Sequence, residues 1–274
     1  MAVVEDAAVS RVVSRDGTEI GYWSAGEGPP LVLVHGLLGD HTRWAALRPH
    51  LEPHFTVHAV DRRGRGASGD APDYEPSREV EDVVAVVEAV ATSSGTGVDV
   101  YGSSGGGLYA LAAAAQTSSI RRLVLFEAPV GAGPELMPPG LQQELDALLD
   151  AGDREGVLVA AYRQIVGLSE AEIDHLRGQP AWPNRLAAAH TVPRELRTPP
   201  RELFDLARAA SIHVPTLVLV AGESPQLFQV CAQNVVAALP DGRSAVLDGQ
   251  GHGAEMFAPE VVAEQVLTFL HGTE

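Results

Sequence analysis

Six short apolar runs constrain this chain more than any other feature. They cover residues 31–34, 55–60, 98–101, 123–126, 216–220 and 244–247, and turn residues bound most of them. Each is too short for a helix and mostly apolar, the pattern of strands buried on both faces of a parallel sheet. The stretches between them read as helices. Residues 78–91 place Val80, Val83, Val84, Val86, Val87 and Val90 close to a 3.6-residue period, 108–115 is alanine-rich, and 259–270 is amphipathic with a proline at its start. Strands alternating with helices imply βαβ crossovers, hence an α/β fold with a mostly parallel sheet flanked by helices. An Asp16-Gly17 turn between two β-prone runs adds a hairpin at the N-terminal edge.

One segment breaks the alternation. From 131 to 210 there is no strand-like run, but helical stretches occur at 141–151, 155–166, 170–177, 185–190 and 200–210, with prolines at 134, 138, 139, 180, 183, 193, 199 and 200. The chain therefore reads as a core of residues 1–130 and 211–274 interrupted by a helical insertion, 131–210. No internal repeat or long linker suggests independent domains.

Charge and composition exclude several function classes. Against 36 acidic residues stand 19 basic ones, a net charge of −17, so a polyanionic nucleic acid is not an expected partner. All the basic residues are arginine; without a lysine, Schiff-base and P-loop chemistry are impossible. The single cysteine, Cys231, permits no intramolecular disulfide and no multi-cysteine metal site, and reads as a small apolar filler. The first ten residues carry Glu5 and Asp6 and lack the basic, then apolar, order of a secretory signal. No apolar run approaches the ~18 residues that span a bilayer. A soluble, cytoplasmic monomer or homodimer acting on a small molecule is the expectation, with no nucleic acid and no membrane involved.

The chemistry concentrates around Ser104. A strand-like run leads into Gly102, Ser103, Ser104, Gly105 and Gly106, followed by a helical stretch, which sets a Gly-x-Ser-x-Gly motif on a strand-to-helix turn. The glycines are symmetric about Ser104, not Ser103, so Ser104 is the candidate nucleophile. A serine nucleophile needs a base and an oxyanion site. His252, between Gly251 and Gly253 in the loop after the last strand, is the candidate base. His35, after the first parallel strand, is expected to support a turn whose backbone N–H at Leu37, with that of Gly105, forms the oxyanion hole. No HExxH pair or Cys/His ligand spacing occurs, so neither metal nor cofactor is expected.

These pieces together resemble the α/β-hydrolase superfamily, of the serine hydrolase or esterase type with a helical cap. The resemblance rests on His35-Gly36 after a buried strand, on Asp61, Arg63, Gly64, Gly66 and Ser68 in the order D-x-R-G-x-G-x-S, on the elbow at Ser104 and on the terminal-loop His252. It implies a catalytic triad, and the acid is where this sequence departs. The family usually carries it three residues after a glycine in the loop following the cap, but here that position is Pro225, with Glu223 displaced beside Gly222. Glu127 stands instead at the end of the strand before the cap, where some superfamily members place their acid. Glu127 is the favoured candidate; Glu223, Asp248 or no acid at all are the alternatives.

The implied reaction is hydrolysis of a small to medium, mostly apolar ester, lactone or thioester through an acyl-enzyme. Perhydrolase or haloperoxidase-like, lyase and acyltransferase chemistry use the same triad, and a non-catalytic binding protein of this fold is a further alternative. The cap should close over Ser104. Leu38, Tyr162, Trp182 and His190 are its candidate pocket residues, while Leu141, Leu145, Leu148 and Leu149 form a stripe suited to packing.

Overall fold

Eight strands form one sheet in the order β1-β2-β4-β3-β5-β6-β7-β8. In the computed structural model, which describes residues 9–133 and 136–272, they are β1 Val9–Val13, β2 Glu19–Ala25, β3 Pro30–Val34, β4 Thr56–Val60, β5 Val98–Ser103, β6 Ile120–Phe126, β7 Thr216–Ala221 and β8 Gly242–Leu247. The reading of the first ten residues falls mostly outside this range, as does the proline at 134. β1 and β2 pair antiparallel across the Asp16-Gly17 turn, and β2 joins β4 antiparallel; every later pairing is parallel.

The continuous apolar runs follow from burial on both faces. Val32 and Val34 of β3 pack into one cluster, while Leu31 and Leu33 pack into another. The first cluster takes in the valines of helix α2, Pro76–Ser94, preceded by the short α1, Arg48–Leu51. It also takes in α3, Gly105–Ala114, whose alanines let helix and sheet approach closely.

Between β6 and β7 the chain is helical: α4 Leu141–Asp150, α5 Arg154–Ala161, α6 Glu170–Arg177, α7 Trp182–Ala188, α8 Thr191–Leu196 and α9 Pro200–Leu203. This segment packs a hydrophobic cluster of its own, which includes Leu141, Leu145, Val157, Ile173 and Trp182, with Leu148 and Leu149 against it. The helix expected over 155–166 changes character part-way. α5 gives way at Tyr162 to a π-helical turn, Tyr162–Val166, closed by Gly167 in the left-handed conformation. Such single turns insert one extra residue and re-aim the side chains that follow.

The crossover from β7 to β8 is made by α10, Gln226–Ala238, a helix the sequence analysis does not name; it buries Phe228, Cys231, Ala232 and Val235. α11, Ala254–Phe257, and α12, Pro259–His271, close the chain, α12 lying against the second face of the sheet. Among the described residues no helix is long and apolar enough to cross a membrane.

Candidate active site

Ser104 sits where β5 turns abruptly into α3, with φ 51° and ψ −126°. Only two non-glycine residues among those described have positive φ, and they are Ser104 and Glu127 (φ 45°). Such backbone costs about 1–3 kcal/mol per residue and survives only where its surroundings enforce it. At the elbow the enforcement is steric. A Cβ on Gly102 would lie 2.5 Å from the Gly107 Cα, and one on Gly106 would overlap the carbonyl oxygens of Val34 and His35. The glycines of the motif thus let α3 pass close to both β3 and β5.

Glu127 occupies the same level at the end of β6. Its carboxylate is buried, with Oε1 accepting from the Ala221 N–H at 3.0 Å and Oε2 from the Ser224 hydroxyl at 3.0 Å. Oε2 also meets His252 Nδ1 at 2.5 Å. A carboxylate already accepting from two donors favours the tautomer with the proton on Nδ1, which leaves a lone pair on Nε2. The imidazole is held flat between Phe228, with centroids 4.8 Å apart, and Phe126 at 6.0 Å. Glu223 and Asp248 are exposed and neither bonds to His252; the Glu223 backbone N–H goes to the Gln250 carbonyl. Of the alternatives weighed for the histidine's partner, the geometry brings Glu127 alone to the ring.

The loop after β3 is held from behind by buried charge. His35 is fully buried, donates from Nδ1 to the Gly36 carbonyl at 2.8 Å and accepts the Arg62 N–H at Nε2, 3.2 Å away. Burial, reinforced by the nearby Arg62 and Arg65 charges, pushes its pKa well below the usual histidine range, so the ring is neutral. Arg62 donates from Nη1 to the Gly36 carbonyl at 3.1 Å, and Arg65 from Nη2 to that of Leu37 at 2.8 Å. In a trans peptide C=O and N–H point opposite ways. Clamping the Gly36 carbonyl on the arginine side therefore turns the Leu37 N–H away from it.

The two arginines are balanced by two buried carboxylates. Arg62 pairs with Glu79 of α2 at 2.8 Å and with Glu195 of α8 at 2.6 Å, and Arg65 bonds to the other oxygen of Glu195. Burial works against the Glu195 charge, but Arg62 and Arg65 outweigh it and hold the carboxyl below its usual range. The 61–68 loop carries the D-x-R-G-x-G-x-S residues and is a tight turn, Arg65 N–H bonding to the Arg62 carbonyl and Ser68 N–H to that of Arg65. It also ties the helical segment to the Leu37 loop.

A cavity of about 470 Å³ lies over these groups. Its lining brings together Ser104, His252, Leu37, Gly105, Leu38 and Tyr162 of the predicted residues. Trp182 and His190, expected at its wall, do not line it. Trp182 is buried behind Tyr162, its ring stacked on the tyrosine at 6.4 Å. His190 turns outward to the Ala187 carbonyl and to Asp70. The lining also includes residues the sequence analysis does not single out, among them Arg43, Gln142, Glu195, Phe228 and Met256. The leucine stripe of α4 packs away from the cavity, and its neighbours Gln142 and Gln143 face it.

Asp40, His41 and Asp61 bring three possible ligand atoms within 4.8 Å of one another. Asp61 is already committed to four N–H donors, from Trp23, Ala67 and twice from His41, which leaves little lone-pair capacity for an ion.

A profile of the alpha/beta hydrolase family matches residues 31–265. The chain belongs to the α/β-hydrolase family. Its mostly parallel eight-stranded sheet is that of an α/β hydrolase, and among solved structures it is similar to an α/β hydrolase from Sphaerobacter thermophilus. That similarity has a TM-score of 0.79 and 36% identity, and covers 95% of this chain and all of the other. Among characterised proteins it is similar to an N-formylmaleamate deformylase of Pseudomonas putida, 27% identical over 237 residues and 83% of each chain. A pimeloyl-[acyl-carrier protein] methyl ester esterase of Xanthomonas campestris is 28% identical over 254 residues, covering 89% of this chain and 96% of the other. This α/β hydrolase is thus a hydrolytic enzyme with esterase-like relatives.

Proposed function

We propose that this enzyme is a serine hydrolase of small to medium, mostly apolar carboxylic esters, lactones or thioesters, with Ser104 as nucleophile, His252 as general base and Glu127 as the orienting acid. The observation that carries the reading is the 2.5 Å bond from Glu127 to His252 Nδ1, in a cavity that also contains the strained elbow serine. The residues between β6 and β7 act as its cap.

In this mechanism the Ser104 hydroxyl attacks the substrate carbonyl and its proton passes to His252 Nε2. Glu127 stabilises the imidazolium that forms. The backbone N–H groups of Leu37 and Gly105 receive the negative charge that develops on the carbonyl oxygen, and the N-terminus of α3 adds its dipole there. Collapse of the tetrahedral species breaks the bond to the leaving group, which takes the proton from His252. Water then repeats the sequence: it gives a proton to His252, attacks the acyl carbon and releases the acid, and the proton returns to Ser104.

The lining supports a neutral, largely apolar acyl group. Leu108, Leu136, Pro138, Pro139, Ile165, Val166 and Leu203 form much of the wall. The arginines nearest the elbow are matched by carboxylates: Arg62 and Arg65 by Glu79 and Glu195, and Arg43 by Glu255. A panel of p-nitrophenyl esters of increasing chain length, with lactones beside it, tests the reading. Turnover in the wild type should fall by a factor on the order of 10⁴ or more in Ser104→Ala and in His252→Ala alike, because the two groups act as a unit. Turnover that survives either substitution contradicts the proposal.

A further inference from the structure

Behind Ser103 lies a second buried carboxylate that the mechanism does not use. Glu255, fully buried in α11, accepts the Tyr101 hydroxyl at Oε1 (2.7 Å) and both the Ser103 hydroxyl (2.7 Å) and Arg43 Nη2 (2.6 Å) at Oε2. Arg43 belongs to a 3-10 turn, His41–Ala45, and its side chain faces the same cavity as Ser104. Since its Nη2 and the Ser103 hydroxyl share one carboxylate oxygen, the two lie within roughly 5 Å of each other. The guanidinium therefore lies close to the residue that precedes Ser104 and lines the cavity that holds it.

Its donors are under-used. A guanidinium carries five N–H groups. Among the described residues Arg43 finds two acceptors: the Glu255 oxygen, and the sulfur of Met256 at 3.3 Å from Nη1. A thioether is a weak acceptor on a pliable side chain, and Met256 is itself part of the cavity wall. A substrate oxygen in its place makes a charge-assisted bond, about twice as strong as one between neutral groups. The charge balance selects the kind of oxygen. Three buried carboxylates, Asp40, Glu127 and Glu255, stand against the cations Arg43 and Arg185 around this part of the cavity, so a substrate carboxylate is repelled and a neutral acceptor is not.

We propose that Arg43 is a specificity-determining residue that donates to a neutral hydroxyl, ether or keto oxygen carried by the acyl part of the substrate. The preferred substrates are then esters of short oxygenated acids. This inference rests on the reading of Ser104 as the nucleophile.

The test uses isosteric acyl pairs on one leaving group: p-nitrophenyl methoxyacetate against butanoate, and 3-methoxypropanoate against pentanoate. The p-nitrophenyl hemisuccinate serves as the anionic arm. Each kcat/KM is divided by the rate of the same ester with hydroxide, which removes intrinsic reactivity. At least one oxygenated ester should be favoured over its partner by about ten- to a hundredfold, the range for a hydrogen bond to a charged group. In Arg43→Lys, which keeps a cation beside Glu255, that ratio should fall to within about threefold of unity, as the guanidinium's remaining donors are lost. The proposal is overturned by a wild-type ratio near unity in both pairs, by a preference that persists in Arg43→Lys, or by a preference for the hemisuccinate. The wild-type ratios decide even if the variant fails to fold. If instead no ester is turned over in a Ser104-dependent way, it is the proposed function that has failed.

Discussion

Among the described residues two histidines bond to buried carboxylates, and the two pairs differ in what surrounds them. Glu127 and His252 meet at 2.5 Å, and Asp61 and His41 at 2.8 Å, each through Nδ1 with the carboxylate buried. Asp61 receives three further N–H donors; the His41 ring foremost, with the backbone N–H groups of Ala67 and His41, outweighs the effect of its burial and holds its carboxyl below the usual range. The His41 ring is stacked on Trp23 at 4.5 Å, beside a separate recess with no free nucleophile among its described lining residues: the Ser68 hydroxyl there already donates to the Asp61 carbonyl and accepts the Gly21 N–H. His252 shares its cavity with a serine on strained backbone. A histidine held by a carboxylate is therefore a structural joint unless its second nitrogen meets something to activate.

The sharpest way to break that contrast is to remove each carboxylate's charge or each ring in turn. Glu127→Gln keeps the volume but favours the wrong His252 tautomer and leaves the imidazolium unsupported. Turnover should drop at least about a hundredfold in a folded protein, and up to about 10⁴ where the acid is essential. Glu223→Gln, the matched control, should cost less than about tenfold, as for an exposed group outside the charge network. The reverse outcome would return the acid to the loop after β7.

The smallest functional effect is expected at the other pair. His41→Leu should leave kcat/KM within about threefold and lower stability by about 1–3 kcal/mol, the cost of leaving a buried acceptor short of a donor. Urea unfolding measures it. Because the Asp61 carboxyl is held below its ordinary 3.8, its contribution is present above that pH and is lost as pH falls through the lower folded value. The stability gap between His41→Leu and wild type should therefore narrow in acid.

The parts legible in the sequence are those set by local chemistry. The core strands announce themselves by short, mostly apolar runs, and the elbow by glycines whose missing Cβ atoms let α3 pass under β3. Glu127 is visible because it ends a strand adjacent, in the sheet, to the one that carries Ser104. Pairings between distant residues are not legible in this way. Arg43 meets Glu255 across 212 positions, and Glu195 meets Arg62 across 133, so no spacing rule exposes them. In the helical segment, periodicity shows that a helix has a buried side but not what that side faces. Trp182 and His190 were plausible wall residues on type alone, yet the π-helical turn at Tyr162 presents Tyr162, Ile165 and Val166 to the cavity, with Trp182 packed behind the tyrosine.

The central claim is that Ser104, activated by the His252–Glu127 pair, is the group that attacks. Incubation with a fluorophosphonate, followed by intact-mass and peptide analysis, tests it most directly. The account predicts one adduct per chain on the peptide containing Ser104, formed at wild-type rate in His41→Leu and strongly slowed in Glu127→Gln. An adduct on any other residue, or labelling that persists in Ser104→Ala, would contradict it.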